Sequence, residues 1–253
     1  MRVVFLDIDG VIRNESNHCA EEYWDQWEEI LRRQSKKTEI EFDFLKAELS
    51  NREKKGDLGF LGRVVLSTVF EWDKTAITYL KELMSETNAR IVVSSSWRFY
   101  GEPFMKALLS IHDLDKYYFG STIHIDYPDS PVEKAIITKW RRWKSLARDY
   151  FEKKLKSNLI DERVIEISEY LDRCREITSF AVLDDSALMK GYGYVKTHKP
   201  LISPSDIGGA RVFLMKKKGP FALDKSLITP DLSDIRDYIS GNRELAESGW
   251  FRP

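Results

Sequence analysis

Cysteine is scarce in this chain: Cys19 and Cys174 are the two among 253 residues. They form no close-spaced pair, which fits a reducing compartment better than a disulfide framework, with a single bridge between them left open. Long apolar runs are missing as well. No stretch approaches the roughly 20 residues that cross a bilayer, and strand-like sequence begins almost at once, so neither a membrane span nor a secretory leader is expected. The expected protein is soluble, cytoplasmic and without a membrane partner. Nor is there a surplus of either charge. With 40 basic against 41 acidic residues, a global attraction to nucleic acid is not implied, and any such attraction has to be local. Internal repeats and low-complexity tracts are absent too, which favours one core with insertions at this length.

What the chain does have is an apolar strand that ends in carboxylates. Val3-Val4-Phe5-Leu6 runs into Asp7-Ile8-Asp9-Gly10. Four consecutive apolar residues mark a strand covered on both faces, as in parallel sheets layered by helices. Such sheets bind ligands just beyond the carboxyl ends of their strands, where Asp7 and Asp9 would fall. Alternation turns the two side chains the same way, and two neighbouring negative charges are costly unless a cation joins them. A solvated Asp-Gly turn is the plain structural alternative. A calcium loop is a poorer one, because its fifth and twelfth positions hold Val11 and His18.

Strand and helix alternate along the rest. The spacing of Tyr23, Trp24, Trp27, Ile30 and Leu31, and of Phe42, Leu45 and Leu49, predicts a mostly helical insertion over 14–71. A helix over 72–87, with Ile77, Leu80 and Leu83 on one face, hands over at Asn88 to the strand Ala89-Arg90-Ile91-Val92-Val93. That strand ends in Ser94-Ser95-Ser96-Trp97-Arg98; a helix near 103–111 and a strand near 121–125 follow. A helix over 162–174 leads to the strand Phe180-Ala181-Val182-Leu183, which stops at Asp184-Asp185. Tyr194-Val195-Lys196-Thr197 reads as a last strand, and Ser203-Pro204 as the start of a helix reaching about Lys216. The expected fold is α/β, with a mostly parallel sheet layered by helices. Its core would comprise 1–13 and 72–218, interrupted by a second helical insertion at 126–161. Residues 14–71 form the first insertion, and 219–253 a tail with no assigned role.

Three strands thus end in polar residues, and their ends should meet at one sheet edge. The gathered set is Asp7, Asp9, Ser94, Asp184 and Asp185. Clustered carboxylates need neutralising, and an all-oxygen ligand set suits Mg²⁺ better than Zn²⁺. Magnesium binds few protein carboxylates and leaves room for phosphate oxygens, so the set points to phosphoryl transfer with one aspartate free to attack phosphorus.

Asp7-Ile8-Asp9-Gly10-Val11 after an apolar strand, Ser94 at the end of a second and Asp184-Asp185 at the end of a third resemble motifs I, II and IV of the haloacid dehalogenase-like (HAD) phosphohydrolases. The run from Ile91 to Arg98, the segment Arg163-Val164-Ile165-Glu166-Ile167 with Tyr170-Leu171, and Val195-Lys196-Thr197 are similar more narrowly to the HAD domains of bacterial and phage Swiss Army Knife RNA-repair proteins. The resemblance covers 1–13, about 70–111 and about 162–216. It implies a HAD-like Rossmannoid three-layer sandwich, with Mg²⁺ held by Asp7, Asp9 (through its backbone carbonyl), Asp184 and Asp185. Asp185 would be the direct ligand of the last pair and Asp184 its support. It implies Asp7 as a nucleophile that forms an aspartyl-phosphate, Asp9 as acid and then base, and Ser94, with backbone N–H groups near Ile8 and Ser95, as binders of the phosphoryl group. For the cation of motif III, Arg163 fits the spacing first, with Lys134, Lys139 and Lys196 as competitors; otherwise Arg163 is a surface residue in the first turn of a helix. Arg98 either holds substrate phosphate or pairs with a carboxylate. Trp97 reads as core packing.

The insertions bear on substrate. By the resemblance, 14–71 stands where HAD enzymes carry a cap, which favours a phosphorylated small molecule or nucleotide. The second insertion is basic: between Lys134 and Lys156, cations interleave with Trp140, Trp143, Tyr150 and Phe151. That composition suits nucleic-acid backbone and bases, and it equally suits an amphipathic helix that buries its aromatics and solvates its charges. Three readings follow: a Mg²⁺-dependent phosphatase of a phosphate monoester, a phosphatase of RNA or DNA ends, and a non-catalytic binding module that kept the fold. The first is expected, because a binding module has no need of a nucleophile beside an acid. No feature of the sequence sets an oligomeric state.

Overall fold

The computed structural model describes residues 1–14, 21–34, 39–50, 58–123, 162–186, 193–197 and 201–216. Among them, β1 (Arg2–Leu6), β2 (Ala89–Val93), β3 (Tyr118–Ser121), β4 (Ser179–Asp184) and β5 (Tyr194–Lys196) form one sheet in the order β3-β2-β1-β4-β5. Every pairing is parallel. The helices are α1 (Trp27–Gln34), α2 (Glu39–Ser50), α3 (Leu58–Glu71), α4 (Lys74–Thr87), α5 (Glu102–Ser110), α6 (Glu162–Arg173) and α7 (Pro204–Met215). None of these is long and apolar enough to cross a membrane.

β1 is central because it is apolar on both faces, and Val3, Val4, Phe5 and Leu6 are all fully buried. Alternation sends its residues into two layers. Val4 and Leu6, with Ile91, Val93, Ala181 and Leu183, join one apolar core shared with α4, α5 and α7. On the opposite face Phe5 meets Phe180 and the α6 residue Tyr170 edge-on, with ring centroids 5.8 and 5.7 Å apart. Helices therefore cover both faces of the sheet.

Local chemistry sets the element ends. Asp73 caps α4 by accepting from the Ala76 N–H at 2.7 Å, and Asn88 closes that helix in the left-handed conformation with φ of 50°. Ser203 and Asp206 form a reciprocal capping box at the start of α7. Within 14–71, Trp27, Leu31, Phe42, Leu45 and Leu49 are buried as their spacing predicts, whereas Tyr23 is exposed. β3 spans Tyr118–Ser121 rather than the expected 121–125. It is an edge strand whose side chains are mostly half-exposed, so no apolar alternation marks it in the sequence.

The chain divides into two compact units. Met1–Thr122 with Tyr170–Lys218 form one, which holds all five strands and α1–α3; Ile123–Glu169 with Gly219–Pro253 form the other. The expected second insertion at 126–161 and the tail from 219 lie outside the described residues. Cys174 is a free thiol.

Candidate active site

The register of the sheet puts one polar residue after another along its carboxyl edge. Leu6 pairs with Val93 on one side and Leu183 on the other, so Asp7 stands between Ser94 and Asp184. The ladder continues one residue past the apolar strands: Asp7 N–H donates to Leu183 O at 3.0 Å, Ser94 N–H to Leu6 O at 2.8 Å and Thr122 N–H to Val93 O at 3.0 Å. On the far side Thr197 N–H donates to Asp184 O at 2.9 Å. The strand order reverses direction at β1, and the ends of parallel strands at such a switch point are where α/β sheets bind ligands.

Asp7, Asp184 and Asp185 each turn a carboxylate oxygen to a common point, all within 4.8 Å of one another. Asp7 is 4 % exposed and Asp184 1 %. Three like charges at that spacing, two of them withdrawn from water, are costly without a cation, and the donor set is hard oxygen of the kind Mg²⁺ takes. Gly10 opens the space: its φ is +72°, and a Cβ there would run into Asp185 Oδ2. Asp184 is held by the Ser186 N–H, which donates to its Oδ1 at 2.8 Å. The residues thus fit a divalent ion.

Beside the carboxylates lie buried hydroxyls with nothing to bond. Ser94 Oγ, Ser95 Oγ, Thr122 Oγ1 and Thr197 Oγ1 are sealed from solvent and find no hydrogen-bond partner among the described residues. Leaving such a group unsatisfied costs about 1–3 kcal/mol, and four at one sheet edge suit a ligand rich in acceptor oxygens. The sequence assigns Thr122 no site role and reads Thr197 only as part of the last strand; the place of each one residue beyond a strand end is the signal that marks them.

Asp9 sits differently. After β1 the chain makes a tight turn in which Ile8 O accepts from the N–H groups of Val11, Ile12 and Arg13. That turn brings Arg13 back to Asp9, and its Nη1 donates to Asp9 Oδ1 at 2.6 Å. Trp97 Nε1 donates to Asp9 Oδ2 at 3.0 Å. Trp97 therefore packs in the core, edge-on to Trp72 at 5.8 Å, and also grips a site carboxylate. Burial opposes the charge on Arg13, but its hydrogen bonds to Asp9 and Glu71 outweigh that and raise its pKa above the ordinary value. Neither Arg13 nor Glu71 stood out in the sequence, since 58 positions separate them.

The remaining sequence candidates fall in several places. Arg98 is buried, and its Nη1 donates to the Ser95 carbonyl at 2.6 Å, within the short helical turn Ser96–Tyr100 that follows β2. Lys196 is exposed at the end of β5. Arg163 is half-buried in the first turn of α6, in the second compact unit. Lys134 and Lys139, with the rest of the basic stretch to Lys156, lie outside the described residues.

A parallel sheet whose central strand runs into Asp-x-Asp-Gly, flanked by strands ending in Ser and Asp-Asp, is an α/β fold of the HAD phosphohydrolase type. The family model for the HAD domain in Swiss Army Knife RNA repair proteins matches residues 3–206, and the chain belongs to that family. Neither a curated protein nor a solved structure matches it.

Proposed function

We propose that the protein is a Mg²⁺-dependent phosphatase that hydrolyses a phosphate monoester through an aspartyl-phosphate on Asp7. The observation that carries the proposal is the convergence of Asp7, Asp184 and Asp185 within 4.8 Å, beside the unpartnered Ser94 hydroxyl. Asp7, Asp184 and Asp185 would hold the ion, with the backbone of Asp9 as the family resemblance implies. When bound, the ion would offset negative charge on the phosphoryl oxygens and on Asp7.

The chain's own groups account for the bond changes. An Asp7 carboxylate oxygen attacks phosphorus as the ester P–O bond breaks, and the departing oxygen takes a proton from Asp9. Water then attacks the phosphorus of the acyl phosphate and gives its proton to Asp9, and the bond from phosphorus to Asp7 breaks to release inorganic phosphate. Ser94 Oγ and nearby backbone N–H groups bond the phosphoryl oxygens throughout. Arg98, by fixing the Ser95 carbonyl, keeps the turn after β2 in shape for that contact. Arg163 remains the proposed motif III cation.

The Asp7→Asn variant should lose hydrolysis of p-nitrophenyl phosphate in Mg²⁺ by at least about 10³-fold, and the wild type should stop on chelation. Retained turnover by Asp7→Asn would remove the nucleophile assignment.

A second reading is favoured by the matching family's description, which names RNA repair proteins: a phosphatase of polynucleotide ends, with the basic stretch from Lys134 to Lys156 meeting the backbone. Turnover compared on mononucleotides and on end-phosphorylated oligonucleotides separates the two, and fast turnover of mononucleotides alone rejects the polynucleotide reading.

A further inference from the structure

We infer that Arg13 is the positioning residue for Asp9, and that it takes its own place from the junction of α3 and α4, so that the first insertion sets the rotamer of the acid/base. The inference rests on the phosphatase reading above.

The anchor is made by backbone and side chain together. Asn14 N–H donates to Glu71 O at 3.1 Å and Asp73 N–H to Ile12 O at 2.8 Å, which brackets Arg13 opposite Trp72 in an antiparallel bridge. Gly10 N–H donates to Arg13 O at 2.9 Å, closing the turn on the other side. From this fixed backbone the guanidinium spans two carboxylates. Its Nε donates to Glu71 Oε2 at 2.7 Å and to Ser67 Oγ at 2.9 Å, while Nη1 reaches Asp9 Oδ1. Ser67 Oγ in turn donates to Glu71 Oε2 at 2.6 Å.

Exposure is graded along this chain of contacts. The Glu71 side chain is 3 % exposed, that of Arg13 15 % and that of Asp9 25 %. The buried end is the fixed support, and the more open end is the group that has to meet substrate. Arg13 also lies over the Trp97 ring, 5.5 Å from its centroid, and Trp97 supplies the second donor to Asp9. Each Asp9 oxygen is thus aimed by a donor from a different element. A carboxylate has about four lone-pair sites, so two donors leave Asp9 room to carry or receive a proton. The planar, forked guanidinium suits the double contact, and a lysine ammonium on a flexible stem does not reproduce it.

Positioning and simple stabilisation are separated by the leaving group. A p-nitrophenolate departs without a proton, whereas an alkoxide needs one, and kcat/KM reports the steps through formation of the aspartyl-phosphate. The experiment measures kcat/KM of the full chain in Mg²⁺ on ethyl phosphate and p-nitrophenyl phosphate for wild type, Asp7→Asn, Arg13→Gln, Arg13→Lys and Glu71→Gln. Arg13→Gln should lose about 10²-fold or more on ethyl phosphate and less than about tenfold on p-nitrophenyl phosphate. Arg13→Lys should stay close to Arg13→Gln, and Glu71→Gln should show the same selectivity at smaller size. Should Arg13→Gln fail to fold, Glu71→Gln carries the test. Equal losses on both substrates, or wild-type values for Arg13→Lys, overturn the positioning role while leaving the phosphatase reading intact. Absence of turnover by the wild type, matching Asp7→Asn, overturns that reading and the positioning role with it.

Discussion

His112 stacks on Trp72, with centroids 5.5 Å apart and planes 16° from parallel, and its Nε2–H donates to Thr68 O at 2.7 Å. Burial is the main cause that holds its pKa below the usual 6.5, and Lys81 and Lys74 add to the shift against Thr68 and Asp113. A depressed folded pKa means that the unfolded chain takes up this proton first as pH falls. The neutral ring therefore contributes stability in full above about pH 6.5, and that contribution is lost as pH falls toward the folded value. Urea midpoints at pH 7.5 and 5.5 should differ less in His112→Gln than in wild type; an unchanged difference would show that His112 does not set the slope. The same scale explains what the sequence could and could not reveal of the site. Asp7, Ser94, Asp184 and Asp185 were legible because strand ends are a one-dimensional pattern and parallel sheets gather them at one edge. Arg13 and Glu71 were not, because a salt bridge across 58 positions leaves no local periodicity. The Trp97 ring reads as core in any apolar pattern, and nothing in that pattern reports where its N–H points.

The elements follow from their caps and faces. Asp73 begins α4 and lies next to the Trp72 junction that anchors Arg13. Asp73→Ala should lower unfolding stability by about 1 kcal/mol through loss of one cap bond, measured by urea denaturation. A loss within error of zero would mean that water replaces the carboxylate without cost. Strands buried on both faces were readable, since Val3 to Leu6 and Phe180 to Leu183 are continuous apolar runs between polar ends. β3 starts three residues before its expected place because an edge strand buries few of its side chains, and Tyr118 and Phe119 look no different from a loop on that criterion. Over 14–71 the spacing of Trp27 and Leu31, and of Phe42, Leu45 and Leu49, matches the buried faces of α1 and α2, while the exposed Tyr23 shows that an aromatic at helical spacing need not face the core.

For the whole molecule the sheet edge gathers three carboxylates and several buried hydroxyls, a donor set that a metal ion and a phosphate would engage. Mg²⁺ binding to the folded chain alone should raise its unfolding free energy, by ~2.7 kcal/mol at about 100 times the dissociation constant. Thermal unfolding in MgCl₂ against NaCl of equal ionic strength checks this. The shift should vanish in Asp185→Asn, and an equal shift in that variant would place the ion elsewhere. The near-neutral charge of 40 basic and 41 acidic residues leaves substrate selection to local surfaces. The central claim is that Asp7 takes the phosphoryl group. Acid quenching of the Mg²⁺-loaded protein during turnover, followed by mass spectrometry of its peptides, should find phosphate on Asp7 and none in Asp7→Asn. Turnover with no phosphorylated peptide, or with the phosphate on another residue, would contradict it.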